Sequence, residues 1–433
     1  MRSKYAFVAG CAFLIAAASA AWSASFIAAD NQNVRYIGRF DRSSAAAPQF
    51  NWPGSTIAFA MQGGGCKAIL RQSLDSCSFN VIIDGAFVRY FIAHAGIDTY
   101  AVATGLIGSH QIAVSQRGES AEHAITFGGL VLDDGASLTA LPTSTGRRIE
   151  FIGDSHTAGD GARGTADWAT CVYGVNDAWV SYASIAGRAL GADAYLIAAS
   201  GKGVVHNHSD SNQVSAVTMR QLYKRTLING PASSWDFTSW KPQVVVVNLG
   251  TNDFAECFQM ASEKWRHPAT AAQFMPAYAG LLDSVRALYG GAKIVMMGPY
   301  DQCGSLDSAQ KVIRRVYDAQ ISAGKTDVAW CAYPKFTNGD YVCCHPGTAY
   351  HQKLADSLAT VIRSIAGWNA GVDKPVRPKN SKADPGARSK RGSFLPHWYD
   401  IHGKALSQAA LSGCVIAAYA NDDAEYLRKI VMR

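Results

Sequence analysis

The chain has 433 residues, 48% of them hydrophobic and 17% charged, a globular balance that excludes a mainly disordered or fibrous chain and leaves room for two or three domains. Its net charge of +7 is uneven: +2 in residues 1–24, +5 in 371–433, and zero over 25–370, where 27 basic residues face 27 acidic ones. A neutral body has no electrostatic footprint for nucleic acid and argues against a polyanionic or polycationic substrate.

The N-terminus reads Met-Arg-Ser-Lys, continues through apolar Tyr5–Ala18, and passes to small residues at Ala18-Ser19-Ala20 and Trp22-Ser23-Ala24. This is the pattern of a secretory signal peptide over 1–24. It predicts a secreted or periplasmic protein, and no later apolar run approaches the ~20 residues of a membrane span. An uncleaved anchor, or a lipoprotein box at Val8-Ala9-Gly10-Cys11, is the alternative. Export favours disulfides. Cys66 and Cys77 bracket a short loop and make the best candidate pair; Cys171 with Cys257, and Cys303 with Cys331, Cys343 or Cys344, are weaker ones. Spacing alone fixes no connectivity, and no paired C-x-x-C cluster suggests structural zinc.

Residues 25–145 read as all-β. Short apolar stretches recur at Thr56–Met61, Phe79–Ile83, Phe87–Ile92, Tyr100–Thr104, Gln111–Ser115 and His123–Leu132, punctuated by Gly, Asp or Asn. That rhythm predicts a β-sandwich. From 146 to 370 the pattern alternates. Strands are predicted at Ile149–Gly153, Ala194–Ala199, Val244–Leu249, Ile294–Gly298 and Val328–Tyr333; helices at Asp177–Leu190, Ala271–Tyr289, Leu306–Ser322 and Thr348–Ile365. Such alternation implies a doubly wound α/β parallel sheet. Residues 371–433 are basic and rich in Pro, Lys, Arg and Ser near their start, reading as a solvated tail with one short helix around Ala405–Ala420.

Four short blocks stand at predicted strand ends or before the last helix. They are Gly153-Asp154-Ser155-His156, Ser200-Gly201-Lys202-Gly203, Gly250-Thr251-Asn252-Asp253 and His345-Pro346. The carboxyl edge of an α/β sheet is where such proteins place their sites. A serine hydroxyl becomes a nucleophile when a base takes its proton, and histidine suits that task at neutral pH. Two decoys are set aside: His206 and His208 have metal-like spacing in a loop, and Lys202 lacks a phosphate-loop frame.

Four blocks in this order resemble the SGNH (GDSL-like) hydrolases over about 147–366. The resemblance implies a flavodoxin-like sheet, Ser155 as nucleophile and His345 as general base. The N–H of Ser155, the N–H of Gly201 and the side-chain amide of Asn252 would form the oxyanion hole. The rival nucleophile elbow G-x-S-x-G is absent. That family commonly has Asp three residues before the His; here the position is Val342, and Asp340 lies five back. Asp340 is thus a possible third member, and a main-chain carbonyl orienting His345 is the favoured alternative. Residues Asn33–Leu141, with Tyr36-Ile37-Gly38-Arg39-Phe40, Trp52-Pro53-Gly54-Ser55 and Val81-Ile82-Ile83-Asp84-Gly85, resemble the N-terminal jelly roll of carbohydrate esterase family 2. His351, shortly after His345-Pro346, fits that family as well.

Together these resemblances imply removal of O-acetyl groups from a polysaccharide or oligosaccharide of xylan or glucomannan type. The expected protein is a monomer with no metal, no organic cofactor and no nucleic-acid partner. Tyr300, Trp168 and Trp265 are candidate platforms for a sugar ring. Two alternatives stay open: another esterase of the superfamily (a lipase, a thioesterase or an envelope-polymer deacetylase), and a carbohydrate-binding protein without catalysis.

Overall fold

The computed structural model describes residues 24–368, apart from 75–76, 166–172, 209, 255–268, 300–306, 338 and 343–344, together with 398–399 and 405–406. Two units are distinguished, Met1–Val376 and Arg377–Arg433.

The N-terminal part of the first unit is built from β1 (Ser25–Ile27), β2 (Val34–Ile37), β3 (Gln49–Phe50), β4 (Thr56–Gln72), β5 (Ser78–Ile83), β6 (Ala86–Ile92), β7 (Gly96–Gln116), β8 (Ile125–Leu132) and β9 (Ser137–Thr139). They join in one antiparallel network whose main path runs β1-β8-β4-β7-β5-β6. Alternation drives it. In β4 the inward positions Phe59, Met61, Cys66, Ala68 and Leu70 enter a core shared with Phe50, Phe79, Ile112, Val114 and Phe127. The predicted strands Tyr100–Thr104 and Gln111–Ser115 turn out to be two halves of β7. Its pairing with β4 continues through Leu106 and His110, absorbing register shifts near Gly64 and Cys66.

Beyond Gly146 come β10 (Arg148–Gly153), α1 (Ser155–Ala158), α2 (Tyr182–Ala189), β11 (Asp193–Ala198), α3 (Met219–Leu222), β12 (Val244–Asn248), α4 (Thr251–Phe254), α5 (Ala271–Leu288), β13 (Lys293–Gly298), α6 (Asp307–Ser322), β14 (Val328–Ala332), β15 (Tyr341–Val342), β16 (His345–Pro346) and α7 (Thr348–Ala366). Five strands form an all-parallel sheet in the order β11-β10-β12-β13-β14. Both faces are covered. Val245, Val247, Ile294 and Met296 pack against Phe274, Leu281, Leu282 and Val285 of α5 and Ile313 of α6. Val244, Val246, Val295 and Met297 pack against Tyr182 and Ala186 of α2 and Leu354 and Leu358 of α7. A strand covered on both sides must be apolar throughout, which is why 244–247 is an unbroken valine run. The predicted helix Asp177–Leu190 is shorter than expected. Asp177 caps a single 3-10 turn, and Ser181 then caps α2 afresh.

The two parts meet along a polar seam. Buried Arg39, between β2 and β3, pairs with buried Glu150 of β10 at 2.9 Å. The same Glu150 accepts from Tyr223 at 2.9 Å and Tyr289 at 3.1 Å, so neither charge is left uncompensated. Trp52 Nε1 donates to the Thr226 carbonyl at 2.8 Å, and Asn80 Nδ2 to Asp177 at 2.7 Å.

In the second unit, β17 (Trp398–Tyr399) pairs antiparallel with β18 (Ala405–Leu406). Ala405 and Leu406 therefore do not open the predicted helix; its remaining residues lie outside those described. Among the described residues no helix is long and apolar enough to cross a membrane. Cys66, Cys77 and Cys331 are buried free thiols. The expected Cys66–Cys77 bridge is not formed: Cys77 Sγ lies 3.5 Å from His123 Nε2, while Cys66 contacts the Lys67 carbonyl. Cys171, Cys257, Cys303, Cys343 and Cys344 lie outside the described residues.

Candidate active site

Strand β10 ends at Gly153, and the chain turns at once into α1. A Cβ at position 153 would stand 1.9 Å from Thr157 Oγ1 and 2.5 Å from its Cβ, so only glycine lets α1 fold back over the strand end. Asp154 caps this turn by accepting the His156 N–H at 3.1 Å. Ser155 is thereby the first residue of α1, at the carboxyl edge of the sheet. Thr157 is held in turn: its hydroxyl lies 2.7 Å from Tyr182 Oη, and Asn248 Nδ2 donates to both Tyr182 (2.9 Å) and Tyr333 (2.8 Å). The Tyr333 hydroxyl closes the network on His156 Nδ1 at 3.2 Å. Every member is buried and partnered, which fixes the turn rigidly.

The segment after β11 adopts φ +74° at Gly201, a left-handed conformation suited to glycine. Its carbonyl accepts the His208 N–H at 2.8 Å. The N–H groups of Gly201 and Ser155 have no acceptor among the described residues. Asn252, in α4 after β12, donates from Nδ2 to the Lys202 carbonyl at 3.0 Å and makes a longer contact of 3.4 Å with Asp154 Oδ2. The structure thus ties the second and third sequence blocks to the first.

Asp253 supplies a lock that the sequence reading did not assign. Its buried carboxylate accepts the N–H groups of Val204 (2.9 Å), Val205 (2.7 Å) and His206 (3.0 Å), pinning the loop after Gly201 onto α4. Burial raises the Asp253 carboxyl above the usual range, with these N–H groups working the other way. Burial likewise pushes Asp154 up to about 7; the His156 N–H opposes the rise and the nearby Asp253 adds to it.

His345 stands on β16, which packs against α1. Its ring meets that of His156 edge-on, with centroids 5.7 Å apart. Its Nε2 lies 3.8 Å from Asp160 Oδ2, and the Asp160 N–H donates to the Ser155 carbonyl at 3.0 Å. Three histidines gather here, and burial separates them. His156 is held well below its usual value, chiefly by burial and then by the neighbouring histidines, and His351 is held down to about 3 for the same reasons. Both stay neutral. His345, with its side chain 25% exposed, is the one open to solvent.

Asp340 is bound by other groups. Its two carboxylate oxygens bind Lys353 Nζ at 2.7 and 2.9 Å, and one also accepts from the N–H and hydroxyl of Thr337. Partial burial works to raise its carboxyl, but Lys353 and Thr337 outweigh it and hold the group below its usual value. Lys353, in the second turn of α7, captures the carboxylate that the sequence offered to His345. Of the two candidates for orienting His345, the less favoured, Asp340, thus has its carboxylate engaged by Lys353 and Thr337.

Tyr300, Trp168 and Trp265 lie outside the described residues. Among those described, no three His, Cys, Asp or Glu are grouped to hold a metal ion. His206 instead points Nδ1 at the Asn212 carbonyl, 3.0 Å away.

Residues 36–142 match the model of the carbohydrate esterase 2 N-terminal domain, and residues 151–332 match the GDSL-like lipase/acylhydrolase family. The chain is 31% identical over 345 residues to the cellulase/esterase CelE of Acetivibrio thermocellus, covering 78% of this chain and 40% of that protein. It spans well under half of that relative's length. It is 26% identical over 324 residues to an acetylxylan esterase / glucomannan deacetylase of Cellvibrio japonicus, covering 73% of this chain and 86% of that one. Among solved structures, a family two carbohydrate esterase from Clostridium thermocellum in complex with cellohexaose superposes with a TM-score of 0.70 at 30% identity, covering 78% of this chain and all of that one. The two matched domains, in the order and at the sheet edge described, identify this chain as a member of carbohydrate esterase family 2.

Proposed function

We propose that the protein is an exported serine esterase that removes O-acetyl groups from a polysaccharide of xylan or glucomannan type. Ser155 Oγ attacks the acetyl carbonyl, His345 takes its proton, and the sugar hydroxyl leaves with that proton. Water, activated by the same imidazole, then releases acetate from Ser155. The N–H of Ser155 and the N–H of Gly201 hold the oxyanion, and Asn252 joins them by giving up its long 3.4 Å contact with Asp154 and turning that amide hydrogen to the oxyanion, each such donor contributing about 3–4 kcal/mol to the transition state. With Asp340 occupied by Lys353, a main-chain carbonyl orients the imidazole, giving a Ser155–His345 dyad. In this reading the β domain is a jelly roll and the parallel sheet is doubly wound in flavodoxin-like order.

The observation that carries the reading is the pair of N–H groups, at Ser155 and Gly201, that meet no acceptor among the described residues, beside the Asn252 amide and the partly exposed His345. Acetate release by the purified chain and by Ser155→Ala tests it, on aryl acetate, butyrate and octanoate and on acetylated xylan and glucomannan. Acetate-selective activity that disappears in the variant is expected. Faster turnover of longer acyl chains would move the assignment to a lipase or thioesterase. A folded protein that binds glycan and hydrolyses no ester would favour a binding role, a reading prompted by the relative solved with cellohexaose.

A further inference from the structure

The loop between β7 and β8 sends one carboxylate across the domain seam into the site. Glu119 Oε1 accepts the Ser200 N–H at 2.7 Å. Ser200 directly precedes Gly201, whose N–H is the oxyanion donor in the reading above. That N–H belongs to the peptide joining Ser200 to Gly201. The peptide is held at both ends, by Glu119 on the Ser200 N–H and by the His208 N–H on the Gly201 carbonyl at 2.8 Å. Glycine at φ +74° has more backbone freedom than any other residue, so a donor there keeps its aim only if its flanks are pinned.

Glu119 is itself set on a firm base. Two residues before it, Arg117 donates from Nε to the Asn176 carbonyl at 3.1 Å and from Nη2 to the Gly174 carbonyl at 3.2 Å, both in the α/β part. One residue after it, the Ser120 N–H donates to the Asn51 carbonyl at 3.0 Å. The seam has no structural need of a further carboxylate, being closed already by Arg39, Trp52, Asn80 and Arg117. Burial raises the Glu119 carboxyl above its usual value; the Ser200 hydroxyl opposes the rise and Asp160 adds to it.

We infer that Glu119 is a positioning residue for the oxyanion hole, supplied by the β domain, acting through the Ser200 N–H to aim the Gly201 N–H. The inference rests on the esterase reading. It assigns the β domain a part in turnover as well as in stability.

Glu119→Ala, Glu119→Asp and Glu119→Gln in the full chain test it. Removing an oxyanion donor outright costs 10²–10³ in kcat, so misaiming one is expected to lower kcat about 10- to 100-fold in Glu119→Ala, with KM within about 2-fold. Glu119→Asp, too short to span the contact, should lose as much, and serves if the alanine variant does not fold. Glu119→Gln keeps an acceptor oxygen and should stay within about 3-fold of the parent. A trifluoromethyl ketone, which presents a tetrahedral oxyanion, should bind Glu119→Ala weaker by the same factor as kcat falls, while acetate binding holds. A purely structural role predicts lower melting temperatures with kcat of the folded protein unchanged. Parent-like kcat in folded Glu119→Ala or Glu119→Asp, or equal losses in all three variants, would overturn the inference while leaving the esterase reading intact. A parent protein inert toward every ester would overturn both.

Discussion

Asp154→Asn separates the two demands made on the nucleophile turn. In the fold the Asp154 carboxyl is raised from its usual 3.8 to about 7 by burial. A rise of that size is worth about 4 kcal/mol of linked stability. The sign follows from the direction. An acid raised in the folded state stabilises it when protonated, so the contribution is full below about pH 4 and is lost as pH rises through about 7. Asparagine is neutral throughout and still caps α1 through its carbonyl oxygen. Its amide replaces Oδ2, however, and forfeits the 3.4 Å contact from Asn252, a loss of about 1 kcal/mol. The variant should therefore be about 3 kcal/mol more stable than the parent at pH 8.5. It should be about 1 kcal/mol less stable near pH 4, with the two curves crossing in between. Urea unfolding of both proteins at half-unit steps of pH measures the difference directly, and contributions from distant groups cancel in it. A difference that does not change between pH 5 and pH 8.5 would refute the reasoning.

Two further outcomes are expected. Asp340→Asn should retain kcat within about 10-fold in an aryl acetate assay, since its carboxylate serves Lys353 and Thr337; a loss near 10³-fold in a folded protein would restore the triad. Its stability should fall by no more than about 1 kcal/mol, because the Lys353 side chain is 46% exposed. Gly153→Ala drives a methyl group into Thr157, and overpacking of this kind costs up to about 3 kcal/mol, readable as a lowered melting temperature together with lost esterase activity.

Local signals made the sheet legible. The valine run at 244–247 could only be a strand buried on both faces, and the strands predicted around it fall within two residues of β10–β14 at either end. Gly105 and Gly108 read as punctuation and split β7 in two. In the structure they lie within a continuous strand, both at positive φ and with nothing within 4 Å of an added Cβ. Asp177–Leu190 read as one helix because apolar spacing runs through it, whereas Ser181 breaks and restarts it. The site divides in the same way. Ser155, Gly201, Asn252 and His345 each sit at a strand end or before a helix, where sequence patterns are informative. The engagement of Asp340 was not legible, because its position five residues before His345 says nothing about Lys353, which lies thirteen residues beyond Asp340. Glu119 was invisible, since its contact with Ser200 spans 81 residues and two domains.

The carboxylates around the proposed oxyanion hole pose a physical question, because negative charge there opposes the reaction it is meant to serve. Asp154, Asp253 and Glu119 all lie in or beside the donor loops, with Asp160 at His345. Two features resolve the conflict. The charge on Asp253 is spent on three N–H groups, which bind the loop carrying Gly201 to the helix carrying Asn252. Asp154 and Glu119 are raised by burial, so their charged forms are disfavoured where the ester would sit. A neutral carboxyl still accepts a hydrogen bond through its carbonyl oxygen, so protonation of Asp154 removes its opposing charge while leaving its hold on the His156 N–H in place. Burial thus gives two results from one arrangement. It makes the acids rigid anchors for Ser155 and Gly201, and it weakens the field they would otherwise set against an oxyanion. The same burial keeps His156 and His351 neutral, whereas His345, on β16 beside α1, keeps its side chain 25% exposed.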